Sequence, residues 1–223
     1  MAITAFACAG APAAYAANFS CSWTDAGDNW TTAVDWSACN GTSPNNSGGN
    51  TYDATISNGG SPTLTSPITV GNVTVSGSTW FLRGPSAAAT LTGNLANSGN
   101  VDLDIFGGDG GASLGVGGTL TNSGNVQIGS SNDSLSANTT VTANAVNNTG
   151  TINLYGNGTN HAALKVSGAA GFGTAGVISG QVNLQDNSLV QFGSGGLSSI
   201  ASGGQLSLGH RCRSPATAPT TTR

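Results

Sequence analysis

Charged residues are scarce in this chain. Asp, Glu, Lys and Arg together make up only 6% of it, against about 25% in an ordinary soluble domain. All nine acidic residues are Asp, Glu is absent, and Lys occurs once, at Lys165. Because Glu and Lys are among the strongest helix formers, this composition argues against a mainly helical architecture. A net charge of -4 and the lack of a basic stripe argue against nucleic acid as a partner.

Long apolar runs are also missing. Beyond the first twenty residues no stretch is apolar enough to cross a membrane as a helix, so no transmembrane helix is predicted. Hydrophobic residues still make up 37% of the chain, and they alternate with Gly, Asn, Ser and Thr. Such alternation is typical of β-strands with one buried face, and the abundance of Gly and Asn suits tight turns. An ordered all-β protein is therefore predicted, rather than a disordered chain.

The two ends of the chain differ from the rest. Residues 1–16 end in Ala14-Tyr15-Ala16 and resemble the apolar part and cleavage site of a secretory signal peptide, although no basic residue precedes Arg83. An ordinary apolar N-terminus is the alternative. Residues 210–223 stop the alternation and are predicted to be a disordered or frameshifted tail. The first feature predicts export, with a location at the cell surface or outside the cell.

A Trp- and Cys-rich segment, residues 17–53, follows the leader. Its Cys21 and Cys39 are predicted to form a disulfide, since isolated pairs in exported proteins usually do, with free thiols or a metal as alternatives. Trp23, Trp30 and Trp36 have two interpretations. They are candidate glycan contacts through ring stacking, or they pack together as a cap over the first coil of the following domain.

A repeat of about 24 to 30 residues occupies residues 54–209. Its clearest copies are the segments 95–103, 120–128 and 146–154, in which Asn-Ser-Gly or Asn-Thr-Gly precedes an alternating Val-x-Leu or Ile-x-Leu stretch. The interpretation is a tight corner, with Gly in a conformation that a Cβ would oppose, followed by a strand. Gly71 is assigned to an early copy of the same corner.

Two or three strands and their corners would complete one coil, and stacked coils would bury a shared apolar core. The predicted fold is therefore all-β, a right-handed parallel β-helix with an N-terminal Trp-rich cap module. A β-sandwich is the main alternative, but it would show hairpin turns every 8 to 12 residues. It would have no need of similar corners at this longer period.

The corner-and-strand signature, Asn-Ser/Thr-Gly-x-Val/Ile-x-Leu/Ile, resembles the repeats of bacterial autotransporter passengers and filamentous haemagglutinin-like adhesins. The segment 22–36, with its three tryptophans, resembles the module that opens such exported repeat proteins. The resemblance covers about residues 54–209. It implies a β-helical adhesin displayed at the outer membrane, with any membrane anchor outside this chain.

Chemistry is the main question that the repeat leaves open. Asp102 and Asp104 alternate on one predicted strand and are expected to face outward side by side, with Asp109 in the next turn. Paired carboxylates can serve acid–base chemistry or bind Ca²⁺, so these three residues are the candidate catalytic or metal site. No basic residue lies near them in the sequence, and solvated Asp on a polar face is the competing interpretation.

The residues therefore favour a secreted or surface-exposed structural or adhesive protein that is not an enzyme and needs no cofactor. It would be a fragment of a larger autotransporter-like passenger, with host or matrix glycans or proteins as partners. A β-helical carbohydrate-active enzyme or Ca²⁺-binding module built on Asp102, Asp104 and Asp109 is the alternative. A non-functional gene fragment is the third hypothesis.

Overall fold

The structure, a computed structural model, describes residues 16–168, 172, 176–193 and 196–209. Tyr15 and everything before it, as well as the predicted tail from His210, lie outside the described residues. One short 3-10 turn, Ala33–Asp35, accompanies the strands. The strands are β1 (Asn18–Trp23), β2 (Trp36–Ser37), β3 (Thr51–Ile56), β4 (Thr63–Leu64), β5 (Ile68–Val70), β6 (Val73–Val75), β7 (Thr79–Leu82), β8 (Ala88–Leu91), β9 (Leu95–Asn97), β10 (Asn100–Leu103), β11 (Ser113–Asn122), β12 (Asn125–Ile128), β13 (Thr139–Asn148), β14 (Thr151–Tyr155), β15 (Ala162–Val166), β16 (Val177–Ile178), β17 (Gln181–Gln185), β18 (Ser188–Phe192), β19 (Ser199–Ile200) and β20 (Gln205–Gly209).

These strands pair in parallel, one turn of the chain above the next. Strand β10, for example, lies between β7 and β12, with Val101 beside Trp80 on one side and beside Val126 on the other. Among the described strand pairs only β1 and β2 are antiparallel. The chain is a parallel β-solenoid of about five turns, which confirms the predicted parallel β-helix. The β-sandwich alternative is wrong, because sandwiches are built from antiparallel neighbours.

Three stacks of strands run along the solenoid. The first contains β5, β8, the opening residues of β11 and β13, then β15 and β18, while the second contains β1, β3, β6, β9 and the closing residues of β11 and β13. The third is a seven-stranded sheet of β4, β7, β10, β12, β14, β17 and β20. Strand β11 passes from the first stack to the second at a register shift between Val116 and Thr119. Each full turn is thus three-sided.

Inward-facing side chains form continuous apolar columns along these stacks. In the third stack one column is almost wholly inaccessible to solvent, and it consists of Trp80, Val101, Val126, Ile152 and Val182. A single turn has too few inward side chains to exclude water from them, so each turn depends on its neighbours. The columns are therefore the main source of stability of the solenoid.

The repeated corner glycines allow close approach between successive turns. Gly99, Gly124 and Gly150 precede third-stack strands, and none has a positive φ. A Cβ at Gly124 would overlap the carbonyl oxygen of Gly99, and a Cβ at Gly150 would overlap that of Gly124. The sequence interpretation is corrected here: a Cβ is opposed by the backbone of the previous turn, and the glycine's own backbone conformation is ordinary.

Gly71 belongs to a different corner from the one predicted. Val73 pairs with Leu95 in the second stack, and the N–H of Gly93 donates to the carbonyl of Gly71 at 2.8 Å. Gly71 therefore leads into the second stack, whereas the other repeat glycines lead into the third. The copy that contains Gly71 is therefore assigned to the wrong corner of the coil, because its short Gly-Asn-Val motif fits both corners.

The asparagine of the Asn-Ser/Thr-Gly motif is buried. Asn97, Asn122 and Asn148 are at most 3% exposed and lie one above another at the end of the second stack. The Asn97 amide donates to the side-chain oxygen of Asn122, and the Asn122 amide donates to that of Asn148, both at 2.7 Å. Asn122 also donates to the backbone carbonyl of Thr151 at 3.0 Å, in the turn above. We call these three residues the asparagine ladder, and it holds successive corners in register.

Candidate functional site

The N-terminal module closes the first turn of the solenoid. Cys21 on β1 and Cys39, 18 positions apart in the sequence, form a disulfide with their Cα atoms 4.8 Å apart. A loop of this size contributes about 3 kcal/mol of stability, chiefly by restricting the unfolded chain. Strand β1 also pairs with β3, so the disulfide tethers the module to the edge of the second stack.

The tryptophans of this module are core residues. Trp23 is 3%, Trp30 0% and Trp36 5% exposed. The centre of the Trp36 ring lies 5.0 Å from that of Trp23 and 4.6 Å from that of Trp30, and Trp30 also packs on Trp80 of β7 at 5.1 Å. No ring face is available to stack on a sugar. The glycan-contact hypothesis for these three residues is thus corrected to a packing role that covers the first turn.

Asp102 is the most unusual of the predicted site residues. It lies on the outward side of β10 between Phe81 and Gln127 of the neighbouring strands. The side chain is only 9% exposed, and its carboxylate has no hydrogen-bond partner among the described residues. Because burial penalises the ionised form, the pKa of Asp102 is raised to about 6.

The sequence predicted that Asp104 lies beside Asp102 on the same strand, and the structure places it elsewhere. Strand β10 ends at Leu103, and Asp104 turns inward with a φ of 53° and no exposure to solvent. Its carboxylate accepts hydrogen bonds from the N–H groups of Gly84 at 2.7 Å and Ala112 at 2.8 Å and from the Thr139 hydroxyl at 2.6 Å. The prediction of an outward carboxylate pair is wrong, because loop backbone donors bind this side chain.

Asp109 pairs with a basic residue that the sequence analysis missed. The Arg83 Nε donates to the Asp109 carboxylate at 2.8 Å. The guanidinium of Arg83 also lies 4.2 Å from the centre of the Phe106 ring, and Phe106 packs against Phe81 at 5.6 Å. Arg83 follows the residue that pairs with Leu103 of the next turn. A comparison of residues one repeat apart would therefore have placed Arg83 near the segment that contains Asp109. A search among sequence neighbours does not find it.

The structure thus places the three aspartates in three different environments. Asp102 is outward and unpartnered, Asp104 binds backbone amides, and Asp109 forms an ion pair. In the part of the chain that the structure describes, no group of three or more His, Cys, Asp or Glu side chains is arranged to hold a metal ion. Phe81, the register neighbour of Asp102, packs against Phe106, and the Phe106 ring in turn contacts Arg83 of the Arg83–Asp109 ion pair.

The buried carboxyl of Asp102 should make stability depend on pH. Its folded pKa of about 6 is above the ordinary unfolded value near 3.8, so the folded state is penalised above pH 6. The penalty is relieved as the pH falls through 6 toward 4. We expect Asp102→Asn to raise the free energy of unfolding by about 2 to 3 kcal/mol at pH 7.5, and the gain over the wild type to shrink at pH 4.

Denaturant unfolding of both proteins at the two pH values measures this difference. Asp133→Asn is the matched control, because Asp133 is exposed and its replacement should change stability little at either pH. A gain for Asp102→Asn that is equal at pH 7.5 and pH 4 would contradict the assignment.

Comparison of the chain with protein-family models, with curated proteins and with solved structures finds no match. Among residues 16–168, 172, 176–193 and 196–209, no helix is long and apolar enough to cross a membrane. The class of the protein is defined by its parallel strand pairing and its stacked apolar columns. It is a parallel β-solenoid repeat protein.

Proposed function

We propose that this chain is an exported, surface-exposed structural or adhesive β-solenoid, part of a larger autotransporter-like passenger. Its partners would be host or matrix glycans or proteins. The resemblance of its repeat to adhesin repeats and the resemblance of residues 1–16 to a signal peptide support this proposal. In this role the solenoid is a stiff spacer that presents one ordered side to its partners.

The adhesive part of the proposal depends on one observation, which concerns the outward side of the third stack. Along it amide side chains recur from turn to turn, and we call the set the polar face: Asn100, Asn125, Asn153, Gln181, Asn183 and Gln205. Asn153 donates to the side chain of Asn125 at 2.9 Å, and Asn183 donates to that of Asn153 at 2.9 Å. Asn125, Asn153 and Asn183 are thus held in place before any partner arrives.

Preordered amides suit the recognition of hydroxyl-rich surfaces. Each amide carries both donors and an acceptor, and neighbouring strands space them roughly 4.8 Å apart. Since side chains already tied to one another lose little rotamer freedom on binding, a regular row of weak contacts can add up to useful affinity. Glycans and extended protein segments both offer complementary rows of donors and acceptors.

Binding to immobilised glycans and matrix proteins tests the adhesive role. The variant Gln181→Lys with Gln205→Lys changes two exposed neighbours on the polar face. The matched control, Thr121→Lys with Asn147→Lys, changes two exposed register neighbours on the second stack. We expect the first variant to weaken binding at least tenfold and the control to leave it unchanged. Equal behaviour of the two variants would contradict a role for the polar face.

Export is tested separately from binding. Antibodies or added protease should reach the protein on intact cells that express it from its own gene, while a cytoplasmic marker stays protected. Protection of the protein until the cells are lysed would overturn the proposed location.

A carbohydrate-active enzyme remains the second candidate, and the buried carboxyl of Asp102, with its raised pKa, is the observation that favours it. A carboxyl with a pKa of about 6 can act as a general acid near neutral pH. Polysaccharide hydrolysis that is lost in both Asp102→Asn and Asp109→Asn would establish this function. Asp104 is unsuitable for the test, since its replacement would remove three structural hydrogen bonds.

A further inference from the structure

The chain contains three Asn-Gly pairs, which are Asn40-Gly41, Asn58-Gly59 and Asn157-Gly158. In such a pair the backbone nitrogen of the glycine can attack the side-chain carbon Cγ of the asparagine, because glycine has no Cβ to obstruct the approach. The asparagine then loses its amide group as ammonia. Hydrogen bonds that hold either reacting group in place slow this reaction, so the contacts of the three pairs can be compared.

The space around the glycines does not distinguish the three pairs. A Cβ placed on Gly41, Gly59 or Gly158 would have no heavy atom within 4 Å. Each glycine therefore has room for its nitrogen to approach the preceding side chain. Differences in reactivity must come from the hydrogen bonds of the asparagine side chain and of the glycine N–H.

Asn157 is the most firmly held of the three asparagines. It is only 8% exposed, and its amide donates a hydrogen bond to the carbonyl of Leu135 at 2.8 Å. Its side-chain oxygen accepts from the N–H groups of Thr159 at 2.9 Å and Asn160 at 2.7 Å. Reorientation of this side chain would leave buried donors and acceptors without partners, which costs free energy. Attack on its Cγ is therefore suppressed.

Asn58 is exposed, yet both of its reacting groups are held. Its amide donates to the carbonyl of Asp25 at 2.9 Å, and its side-chain oxygen accepts from the N–H of Gly60 at 2.9 Å. The N–H of Gly59, which would carry out the attack, donates to the hydroxyl of Ser78 at 3.0 Å. The reaction at this pair would require the loss of all three hydrogen bonds.

Asn40 has none of these restraints. It is exposed, and neither its side chain nor the N–H of Gly41 has a hydrogen-bond partner among the described residues. The φ values of 53° at Asn40 and 73° at Gly41, with a hydrogen bond of 3.1 Å from the N–H of Thr42 to the carbonyl of Cys39, are those of a type I′ turn. Rearrangement of this turn costs only the hydrogen bonds from the exposed Thr42 to Cys39.

We infer that Asn40 is a modification site, at which the folded protein deamidates spontaneously and faster than at the other two pairs. The nitrogen of Gly41 forms a bond to the Cγ of Asn40, and the bond between Cγ and Nδ2 breaks. The amide leaves as ammonia and takes the proton that Gly41 has lost. Water then opens the cyclic imide to give aspartate or isoaspartate, so amide and water become acid and ammonia without an oxidant or a reductant.

The modification changes both the charge and the backbone of the N-terminal module. Each conversion adds one carboxylate, which is ionised at neutral pH, to a chain with a net charge of -4. Isoaspartate also lengthens the backbone by one carbon directly after Cys39. Because Cys39 is bound to Cys21 of β1, the altered turn stays attached to the solenoid. The product is therefore a folded, more acidic species, and this inference is independent of the proposed function.

Ageing of the purified, folded full chain tests the assignment. The protein is incubated at pH 8.5, reduced and digested with chymotrypsin, and tandem mass spectrometry follows each Asn-Gly pair with time. We expect Asn40 to convert at least tenfold faster than Asn58 and Asn157. Its rate should fall at pH 6, because the Gly41 nitrogen loses its proton less readily there. In denaturant, where the fold protects no pair, all three should convert at similar rates.

Asn40→Gly is the matched variant, since Gly-Gly also suits a type I′ turn and has no side-chain amide. The acidic species that anion-exchange chromatography separates from the aged wild type should be absent from this variant, and its persistence would assign the change to another residue. Equal conversion of Asn40 and Asn58 in the folded protein would also overturn the inference. So would an Asn40 that converts in denaturant and stays intact in the folded chain.

Discussion

Gly124→Ala is expected to destabilise the solenoid by about 4 kcal/mol, or to prevent it from folding. The added methyl group would overlap the carbonyl oxygen of Gly99 and the carbonyl carbon of Ser98. Both are backbone atoms of the previous turn, so no side-chain rotation can relieve the overlap. The two turns would have to move apart, which would weaken the strand pairing and column packing between them.

The control for this change is Gly158→Ala. A Cβ at Gly158 would have no heavy atom within 4 Å, and this glycine has no positive φ. Denaturant unfolding of both variants should therefore show a large loss for Gly124→Ala and a change within about 0.5 kcal/mol for Gly158→Ala. Similar losses at the two sites would mean that close approach between turns is not the reason for glycine at the corner.

Asn122→Ala is expected to cost about 3 to 5 kcal/mol. Asn122 is fully buried in the middle of the asparagine ladder, where it accepts from Asn97 and donates to Asn148 and to the carbonyl of Thr151. Alanine would leave these buried groups short of partners and would open a small cavity. The cost exceeds that of a single lost hydrogen bond because several groups lose a partner at once.

Asn147→Ala provides the comparison for the ladder. Asn147 neighbours Asn148 in the sequence but faces solvent, so its replacement should change the free energy of unfolding by less than about 0.5 kcal/mol. Equal effects of the two substitutions would show that the ladder contributes no more than an exposed amide.

The repeat predicted from the sequence is the part of the fold that the structure reproduces most directly. Leu95, Leu120 and Val146, aligned as equivalent positions, lie side by side in the second stack. The alternation of apolar and polar residues and the repeat period are properties of the sequence, so they can be recognised without knowledge of the packing. They predicted parallel coils, because inward residues of one coil need the next coil to cover them.

The candidate site was harder to predict because its residues derive their properties from other turns. Asp102 and Asp104 look equivalent in the sequence, yet one is an unpartnered outward carboxyl and the other is bound by amides of Gly84 and Ala112. Asp109 forms an ion pair with Arg83, a residue 26 positions earlier in the sequence. In a solenoid, residues that contact each other are often separated by one whole turn of the sequence. A local sequence motif therefore does not reveal these contacts.

Composition, alternation and the repeat period alone were enough to specify an all-β chain wound into parallel coils, since those features follow from which side chains must avoid water. The role of each polar residue was decided only when the turns were stacked. Stacking buried the motif asparagines, turned Asp104 inward and covered the tryptophans. Burial and hydrogen bonding depend on atoms of the neighbouring turns, which no single stretch of sequence contains.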